Sequence, residues 1–223
     1  LKLPASERLQ FLAGQYIDIL LKDGKRRSFS LANAPHDDVL LQLHIRHVVG
    51  GSFTDQVFST MKQRDMLRFS GPHGSFHLRE DSTKPLVLLA GGTGFAPIKA
   101  IVEHAIAENC VRPMHIYWGA RARVDLYQNA LPEQWAAQHA GISYIPVLSD
   151  PAAGDQWTGR TGLVHQAVLY DFPDLSGHQV YACGAPIVVD SAREAYIGQA
   201  GLPEDQFFAD AFTSEADKGN PGA

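Results

Sequence analysis

Residues suited to binding a phosphate group follow an apolar run near the middle of the chain. Residues 86–98 read LVLLAGGTGFAPI, and apolar residues then recur at helical spacing up to Ile106. Glycines let a ligand approach the backbone, and the first turn of a helix offers N–H groups that have no intrahelical partner. This order of strand, glycine turn and helix predicts a phosphate cradle formed by Gly92, Thr93, Gly94 and Pro97.

The sequence of this segment differs from both common phosphate-binding motifs. Pro97 stands where a dinucleotide fingerprint has its third glycine, and the Lys99 that follows does not complete a P-loop. Proline is nevertheless suited to a first helical turn, because the N–H that it lacks has no partner there. A glycine-rich turn that binds nothing therefore remains the alternative for this stretch.

Strands alternate with helices from residue 85 onward, which predicts a parallel, doubly wound α/β sheet. The predicted strands are residues 86–90, 114–118, 143–148 and 179–183, and the predicted helices are 97–108, 131–139, 163–169 and 187–200. Ligands of such sheets bind outside the carboxyl ends of the strands. We therefore expect four loops to converge on one crevice, and they contribute the candidate binding residues Gly92, Gly119, Arg121, Ser149, Cys183, Gly184 and Pro186.

Short strands and turns fill the chain before residue 80. Strand patterns cover residues 9–19, 27–31, 39–49 and 66–70, with a hairpin signal at Asp23-Gly24 and a helical pattern at 54–61. This series of short strands with one helix predicts an antiparallel β-barrel. The chain is thus expected to have two domains, residues 1–80 and 85–213, with a boundary near residues 81–84 and a flexible tail at 214–223.

Composition excludes several classes of protein. The 223 residues are 45% hydrophobic and carry a formal net charge of −5, which argues against nucleic acid or an anionic membrane as the main partner. No membrane-spanning stretch or signal peptide is visible. The chain starts at Leu1, inside a predicted strand, and we expect it to be a fragment whose first barrel strand is truncated.

The cysteines and histidines predict no metal site. Cys110 and Cys183 are too few for an iron–sulfur cluster or a structural zinc ion, so any cluster must lie elsewhere. One disulfide between them is an open alternative, but so few cysteines are more typical of a reducing cytoplasm. The histidine pairs at 44 and 47 and at 73 and 77 lie in predicted strands and lack the helical geometry and the carboxylate partner of a known metal site.

Four motifs, taken together, resemble the ferredoxin–NADP reductase superfamily in order and approximate spacing over nearly the whole chain. They are Arg27-x-Phe29-Ser30, Gly50-Gly51-Ser52-Phe53-Thr54, the glycine turn with Pro97, and Cys183-Gly184. Residues 11–16 and 119–121 are most similar to bacterial flavin reductases and to CDP-6-deoxyglucoseen reductases. The latter normally carry an N-terminal [2Fe–2S] ferredoxin domain.

The resemblance implies a flavin site in the first domain. Arg27 would contact the flavin diphosphate, Phe29 would lie against the isoalloxazine, and Ser30 would hydrogen-bond near flavin N5. His44, Ile45 and Arg46 would lie beside the flavin, and the segment from Gly50 to Thr54 would bind its phosphate. The alternatives are an ordinary edge strand at 27–30, and a bulge with Ser52 or Thr54 as a helix N-cap.

The resemblance also implies a nicotinamide site in the second domain. Cys183 would lie next to nicotinamide C4 and flavin N5, although a small buried residue that ends a strand is the alternative. Arg121 and Arg123 favour the phosphate of NADPH, whereas Asp125 and the nearest subgroup favour NADH. Phe212 is a candidate for contact with the flavin, and Asp210 is a weaker candidate for a polar role.

The expected function is that of a flavoprotein oxidoreductase. NADH or NADPH would donate a hydride to FAD, with Ser30 and Cys183 as the candidate catalytic residues. The electrons would pass to a [2Fe–2S] centre, to another protein or to free flavin. The alternative is a subunit that binds flavin and nucleotide for regulation or electron transfer without catalytic turnover.

Overall fold

The computed structural model describes residues 1–213, so the predicted tail at 214–223 lies outside the described residues. The chain folds as two units. Unit 1 contains Leu1–Leu78 and Lys99–Asn109, and unit 2 contains Arg79–Ile98 and the described residues from Cys110 onward. One helix therefore begins in unit 2 and continues into unit 1.

Unit 1 is built on an antiparallel sheet, which confirms the predicted class. Its strands run in the order β2-β1-β3 and cover β1 (Tyr16–Leu20), β2 (Arg26–Ser30) and β3 (Arg68–His73). The β1–β2 hairpin turns at Gly24, as the Asp23-Gly24 signal predicts. Ile17 and Ile19 are fully buried because alternate residues of β1 face the core.

The strand that the sequence predicts at residues 39–49 is wrong in extent. It is reduced to an isolated bridge between Leu31 and Leu43. The Asn33 side chain replaces part of a ladder, because its Oδ1 accepts a hydrogen bond from the Gln42 backbone N–H at 2.8 Å. Val49 is 88% exposed, so apolar character at the end of this segment does not reflect burial in a sheet.

The helix after this segment, α1 (Ser52–Ser59), begins two residues earlier than predicted. Its N-cap position is Gly51, and no side chain among the residues described caps it. Ser52 and Thr54 are therefore not N-caps, which corrects that alternative. The Thr54 hydroxyl instead donates to the Val48 carbonyl at 2.9 Å and so ties down the preceding loop.

Unit 2 contains a parallel sheet flanked by helices, as predicted. The strand order is β7-β6-β5-β4-β8-β9. The strands are β4 (Leu86–Gly91), β5 (Met114–Ala120), β6 (Ile142–Leu148), β7 (Arg160–Thr161), β8 (Gln179–Gly184) and β9 (Phe207–Ala211). The helices are α2 (Phe95–Ala107), of which only residues 95–98 belong to unit 2, and α3 (Ala130–Gln138), α4 (Val164–Asp171) and α5 (Pro186–Ala200).

The position of β4 in this sheet determines where a ligand can bind. Residues 86–90 are fully buried, which explains their continuous apolar sequence. From β4 the chain adds strands first on one side, through β5, β6 and β7, and then on the other, through β8 and β9. The order therefore reverses between β4 and β8, and a crevice at such a reversal is the usual ligand site of an open α/β sheet.

Candidate functional site

The glycine turn after β4 is held in place by aromatic side chains. Gly92–Gly94 form a short 3₁₀ turn that leads directly into α2. The Trp118 indole donates from Nε1 to the Gly92 carbonyl at 2.9 Å, and its ring stacks on Phe95 with centroids 3.9 Å apart. Tyr127 meets the Trp118 ring edge-on at 5.1 Å. These aromatic contacts, which the sequence interpretation missed, fix the shape of the turn.

Gly92 and Gly94 are glycines for different reasons. Gly92 has φ +54, and no described heavy atom lies within 4 Å of the Cβ that another residue would add there. A Cβ at Gly94 would lie 2.1 Å from the Cys183 carbonyl oxygen. Gly94 therefore allows the turn after β4 to pack against the end of β8, whereas Gly92 borders open space at the predicted ligand position.

The end of β8 forms the other side of this close approach. A Cβ at Gly184 would lie 2.8 Å from the Gly91 carbonyl oxygen. Cys183 is fully buried and pairs in register with Asp210 of β9. The Phe212 backbone N–H donates to the Gly184 carbonyl at 2.8 Å. The structure thus brings Gly94, Cys183, Gly184 and Phe212 together at the carboxyl edge of the sheet.

The Cys183 thiol remains protonated at neutral pH. Burial raises the pKa of this thiol well above its usual value, and the Asp210 carboxylate raises it further. A thiolate is the nucleophilic form of cysteine. The environment of Cys183 therefore favours a neutral side chain that fills space over one that attacks a substrate.

The loops after β5 and β6 are joined to each other. The backbone N–H groups of Ser149 and Asp150 donate to the carbonyls of Ala120 and Arg121, both at 2.9 Å. A Cβ at Gly119 would lie 2.7 Å from Val164 Cβ, so Gly119 permits the close approach of α4. Gly119 thus serves packing. The loops after β5 and β6 meet each other, and their convergence with the glycine turn stays a prediction.

The two arginines in the loop after β5 differ in their surroundings. Arg121 forms a 3.3 Å ion pair with Asp150, and both side chains are more than 70% exposed. Such exposed pairs contribute little stability. Arg123 donates from Nη1 to the Asp155 carbonyl at 3.0 Å, and Asp125 accepts from the Ala122 N–H at 3.2 Å. Arg121 is the better candidate for contact with a nucleotide phosphate.

Helix starts at this edge of unit 2 are suited to anions. The N-cap positions of α4 and α5 are Leu163 and Ala185, and within residues 1–213 neither receives a side-chain cap hydrogen bond. Pro186 occupies the first turn of α5, and Pro97 that of α2, where it is buried. Uncapped N–H groups and the positive end of the helix dipole attract phosphate.

The predicted flavin residues of β2 project alternately to the two faces of the sheet of unit 1. Arg27 pairs with Ile19 and Phe29 with Ile17, so the Arg27 and Phe29 side chains share one face. Phe29 packs on Phe53, with ring centroids 5.4 Å apart. Ser30 is 5% exposed and projects to the opposite face. The motif is therefore split between a packed aromatic face and a buried hydroxyl.

The predicted phosphate loop of unit 1 is organised by the side chains of α1. Asp55 accepts a hydrogen bond from the Gly50 N–H at 3.1 Å and lies 2.7 Å from His47 Nε2. Thr54 binds the Val48 carbonyl, and Phe53 is buried in the core. Of the five predicted motif residues, Phe53 and Thr54 thus have structural roles, and the backbone from Gly50 to Ser52 is the part suited to an anion.

A buried lysine beside the predicted flavin segment was missed as a site residue. Lys99 is 6% exposed, and its Nζ donates to the Ala32 carbonyl at 3.0 Å and to Glu103 Oε2 at 2.7 Å. Burial and, to a smaller extent, the Lys99 charge together lower the pKa of His44 to about 4. Lys99 borders the apolar stripe of α2, and this position was the only feature of the sequence that could have indicated its burial. Ile45 packs on the core, and Arg46 is exposed.

The described part of the chain contains no metal site, no membrane-spanning helix and no disulfide. Within it, no group of three or more histidine, cysteine or acidic side chains is arranged to hold a metal ion. Nor does any helix there combine the length and apolar character needed to cross a membrane. Cys110 and Cys183 are both free thiols there, so the alternative of a disulfide between them is wrong.

A unit based on antiparallel strands, followed by a parallel sheet with a glycine turn at its switch point, defines a two-part nucleotide-binding protein. Residues 1–78 match the family model of the oxidoreductase FAD-binding domain, and residues 88–194 match that of the oxidoreductase NAD-binding domain. The two matches cover the two predicted cofactor-binding segments separately.

Similar proteins are known by sequence and by structure. The CDP-6-deoxy-L-threo-D-glycero-4-hexulose-3-dehydrase reductase of Yersinia pestis is 49% identical over 95% of this chain and 63% of its own length. The NAD(P)H-flavin reductase of Aliivibrio fischeri is 34% identical, with 91% and 86% covered. The crystal structure of the Amycolatopsis cytochrome P450 reductase has a TM-score of 0.87 and 34% identity, with 94% and 63% covered.

These matches identify the family. The chain belongs to the ferredoxin–NADP reductase superfamily of FAD- and NAD(P)-binding oxidoreductases, which confirms the resemblance. It spans 63% of the length of the Yersinia dehydrase reductase and of the Amycolatopsis reductase.

Proposed function

We propose that this chain is an NAD(P)H-dependent flavoprotein reductase that takes a hydride from NADH or NADPH and passes electrons onward from FAD. The observation that carries the proposal is the open, positive-φ turn at Gly92, which lies at the switch point of a sheet matching NAD-binding oxidoreductase domains. Its relatives include proteins named as reductases. Those names give no support to the alternative of a silent regulatory subunit.

The groups in unit 2 suit a pyridine dinucleotide. The turn at Gly92–Gly94 and the start of α5 present N–H groups to a diphosphate, and a Cβ at Gly92 would enter the space that it needs. Arg121 reaches the surface near the adjoining loops and can contact a further phosphate. We propose that Cys183, as a neutral thiol, excludes water from the nicotinamide side of the site.

The groups in unit 1 suit FAD. The Arg27 guanidinium matches a diphosphate in charge and geometry, and the uncapped start of α1 after Gly51 supplies N–H donors. The negative charge of the Asp55 carboxylate would repel an anion there. However, His47 Nε2 lies within hydrogen-bonding distance of the Asp55 carboxylate. Phe29 offers a flat apolar surface, with Phe53 packed against its ring.

Ser30 is the proposed proton-handling group of the flavin site. When bound, FAD supplies the ability to accept a hydride and to release its electrons onward. A hydroxyl can donate or accept a hydrogen bond, so Ser30 Oγ can serve flavin N5 before and after its proton content changes. The low exposure of Ser30 keeps bulk water from competing for that position.

The acceptor is proposed to be a [2Fe–2S] centre, a partner protein or free flavin. The described thiols cannot supply four cluster ligands, so an iron–sulfur acceptor would be held by residues outside Cys110 and Cys183. A cytoplasmic location is proposed on the basis of these two free thiols. One similar protein is named as the reductase component of a terephthalate 1,2-dioxygenase.

An absorbance titration tests the proposed function. Purified protein is mixed with FAD, passed over a desalting column to remove unbound flavin, and then titrated with NADH and separately with NADPH under anaerobic conditions. We expect retained flavin absorbance that bleaches with at least one nucleotide. Retained absorbance that neither nucleotide bleaches would contradict the reductase proposal, and the absence of retained flavin would contradict the assignment of the site in unit 1.

A further inference from the structure

The buried Lys99 ammonium is an unusual feature of unit 1. Its side chain is 8% exposed, and it pairs with Glu103, one turn further along α2, whose side chain is 26% exposed. Burying a charge is costly unless it is paired and hydrogen-bonded. The pair satisfies that requirement, but an apolar pair of similar volume would often be equally stable. Stability alone therefore does not account for what Lys99 does.

The second partner of Lys99 places the ammonium at a junction of backbone segments. Ala32, whose carbonyl accepts from Nζ, also donates its N–H to the Gln42 carbonyl at 2.8 Å. Leu31 and Leu43 form the neighbouring bridge. Ala32 is two residues beyond Ser30, and Gln42 is two residues before His44. Lys99 is thus bonded to the place where the two predicted flavin segments of unit 1 meet.

The positive charge of Lys99 also acts on the neighbouring side chains. It adds to burial in keeping His44 neutral, because two cations in a poorly solvated region repel each other. Glu103 carries the counter-charge, with Oε2 2.7 Å from Lys99 Nζ. The junction therefore combines a held ammonium position with an effect on the protonation of His44.

We propose that Lys99 is a positioning residue of the flavin site, in which its ammonium holds the Ala32 carbonyl and so fixes the backbone that carries Ser30. Glu103 holds the ammonium in that position. The inference deepens the proposed function and rests on it wherever flavin is concerned. The effect of Lys99 on His44 belongs to the protein without cofactor and can be measured separately.

FAD affinity is the first test. Lys99→Met keeps the volume of the side chain but removes the charge and the donor, and we expect it to weaken FAD binding about tenfold, the size of one lost charge-assisted hydrogen bond. Lys62→Met makes the same chemical change at an exposed position of unit 1 and should leave the FAD dissociation constant unchanged. Equal affinities of Lys99→Met and wild type would overturn the proposal.

Kinetics distinguish positioning from a general loss of structure. In FAD-saturated Lys99→Met, stopped-flow measurements should show slower flavin reduction with the KM for NADH within about twofold of wild type, because a positioning defect acts on the reacting geometry. If Lys99→Met lowers only the melting temperature and its flavin is reduced at the wild-type rate, the role of Lys99 is purely structural and the proposal is overturned.

The cofactor-free protein gives an independent measurement. The His44 ring protons are followed by NMR between pH 3.5 and 7.5, and the titration midpoint in Lys99→Met should lie above that of wild type, because the repelling charge is gone. An unchanged midpoint would contradict the placement of the charge. This result stands even if the wild-type protein fails to bind FAD, in which case only the proposed function is lost.

A second variant covers the case in which Lys99→Met does not fold. Glu103→Gln leaves the ammonium and its bond to Ala32 in place but removes the counter-charge at the half-buried carboxylate. We expect a smaller weakening of FAD binding, about threefold, in the folded variant. Unchanged FAD affinity and flavin reduction in Glu103→Gln would overturn the role given to the pair.

Discussion

The two glycine-containing turns that precede α1 and α2 look alike in sequence but are built differently. In unit 1, Gly50 has φ +81 and no described heavy atom within 4 Å of an added Cβ. In unit 2, Gly92 is similarly open, but two residues later Gly94 lies against the Cys183 backbone. The first turn is shaped by side chains of its own helix, and the second is shaped by a neighbouring strand.

This difference shows that a glycine motif combines separate requirements. Thr54 and Asp55 hold the loop before α1 through local hydrogen bonds. The turn before α2 depends instead on long-range contacts with Trp118 and Cys183. We therefore expect substitutions in the second turn to fall into two classes, those that disrupt the sheet and those that obstruct the ligand.

The largest expected effect is that of Gly94→Ala. The added Cβ would lie 2.1 Å from the Cys183 carbonyl oxygen, so the turn after β4 must move away from the end of β8. We expect the free energy of unfolding to fall by at least about 3 kcal/mol, as measured by urea denaturation. A larger residue such as valine would therefore report on folding before it could report on nucleotide binding.

Gly50→Ala is the matched control in the first turn. Only the positive φ opposes it, which costs about 1 kcal/mol. Losses of equal size in Gly94→Ala and Gly50→Ala would contradict the difference drawn between the two turns.

The second prediction compares the two units in acid. The pKa of His44 is about 4 in the folded protein, against an ordinary value of 6.5 for a solvated histidine, so between these two pH values the unfolded chain binds a proton that the folded protein does not. Stability must therefore fall as the pH falls from 6.5 towards 4. His44→Gln removes this titration. We therefore expect its effect on the free energy of unfolding to be about 2 kcal/mol more favourable at pH 4.5 than at pH 7.

Urea midpoints at the two pH values measure this recovery, and His36→Gln, at an exposed histidine of the same unit, is the control. Burial also lowers the pKa values of His115, His165 and His178 in unit 2. A residual acid sensitivity in His44→Gln is therefore expected. If His44→Gln loses as much unfolding free energy between pH 7 and pH 4.5 as the wild type does, His44 contributes nothing to the acid sensitivity.

The third prediction concerns Ser30 in the flavin site of unit 1. We expect Ser30→Ala to slow flavin reduction by NADH about tenfold in stopped flow, with FAD affinity changed by less than about threefold, because one hydrogen bond at the reacting atom is lost. Ser28→Ala, on the same face of β2 but bonded to Asp18, is the control. A wild-type reduction rate in Ser30→Ala would remove Ser30 from the mechanism.

Patterns with a local physical cause were predictable from the sequence. The buried run of β4 and the alternation of strands and helices in unit 2 were found as predicted, because apolar periodicity directly reflects burial. The strand at residues 39–49 was wrong, since Asn33 takes up the backbone of Gln42, a contact that depends on tertiary structure. β7 has two residues and is too short to leave a pattern.

The candidate site divides in the same way. The glycine turn and the loops at the carboxyl edge were located from strand ends alone. The reasons why individual positions are glycine could not be predicted. Gly94 and Gly119 are required by close contacts with Cys183 and Val164, which lie far away in the sequence. Lys99 was missed because a lysine in an amphipathic helix is normally solvated, and its partner Ala32 has no polar side chain to signal the contact.

The smallest expected effect separates ligand space from backbone strain at Gly92. Gly92→Ala meets no described atom, so its cost in stability should be about 1 kcal/mol, from the positive φ alone. The new methyl group enters the proposed phosphate position, and the KM for NADH should rise about fivefold. Gly24→Ala, at φ +81 in the β1–β2 hairpin, carries a similar backbone cost with no nucleotide nearby. If both variants lose similar stability and both keep the wild-type KM, the open space at Gly92 is not the nucleotide site.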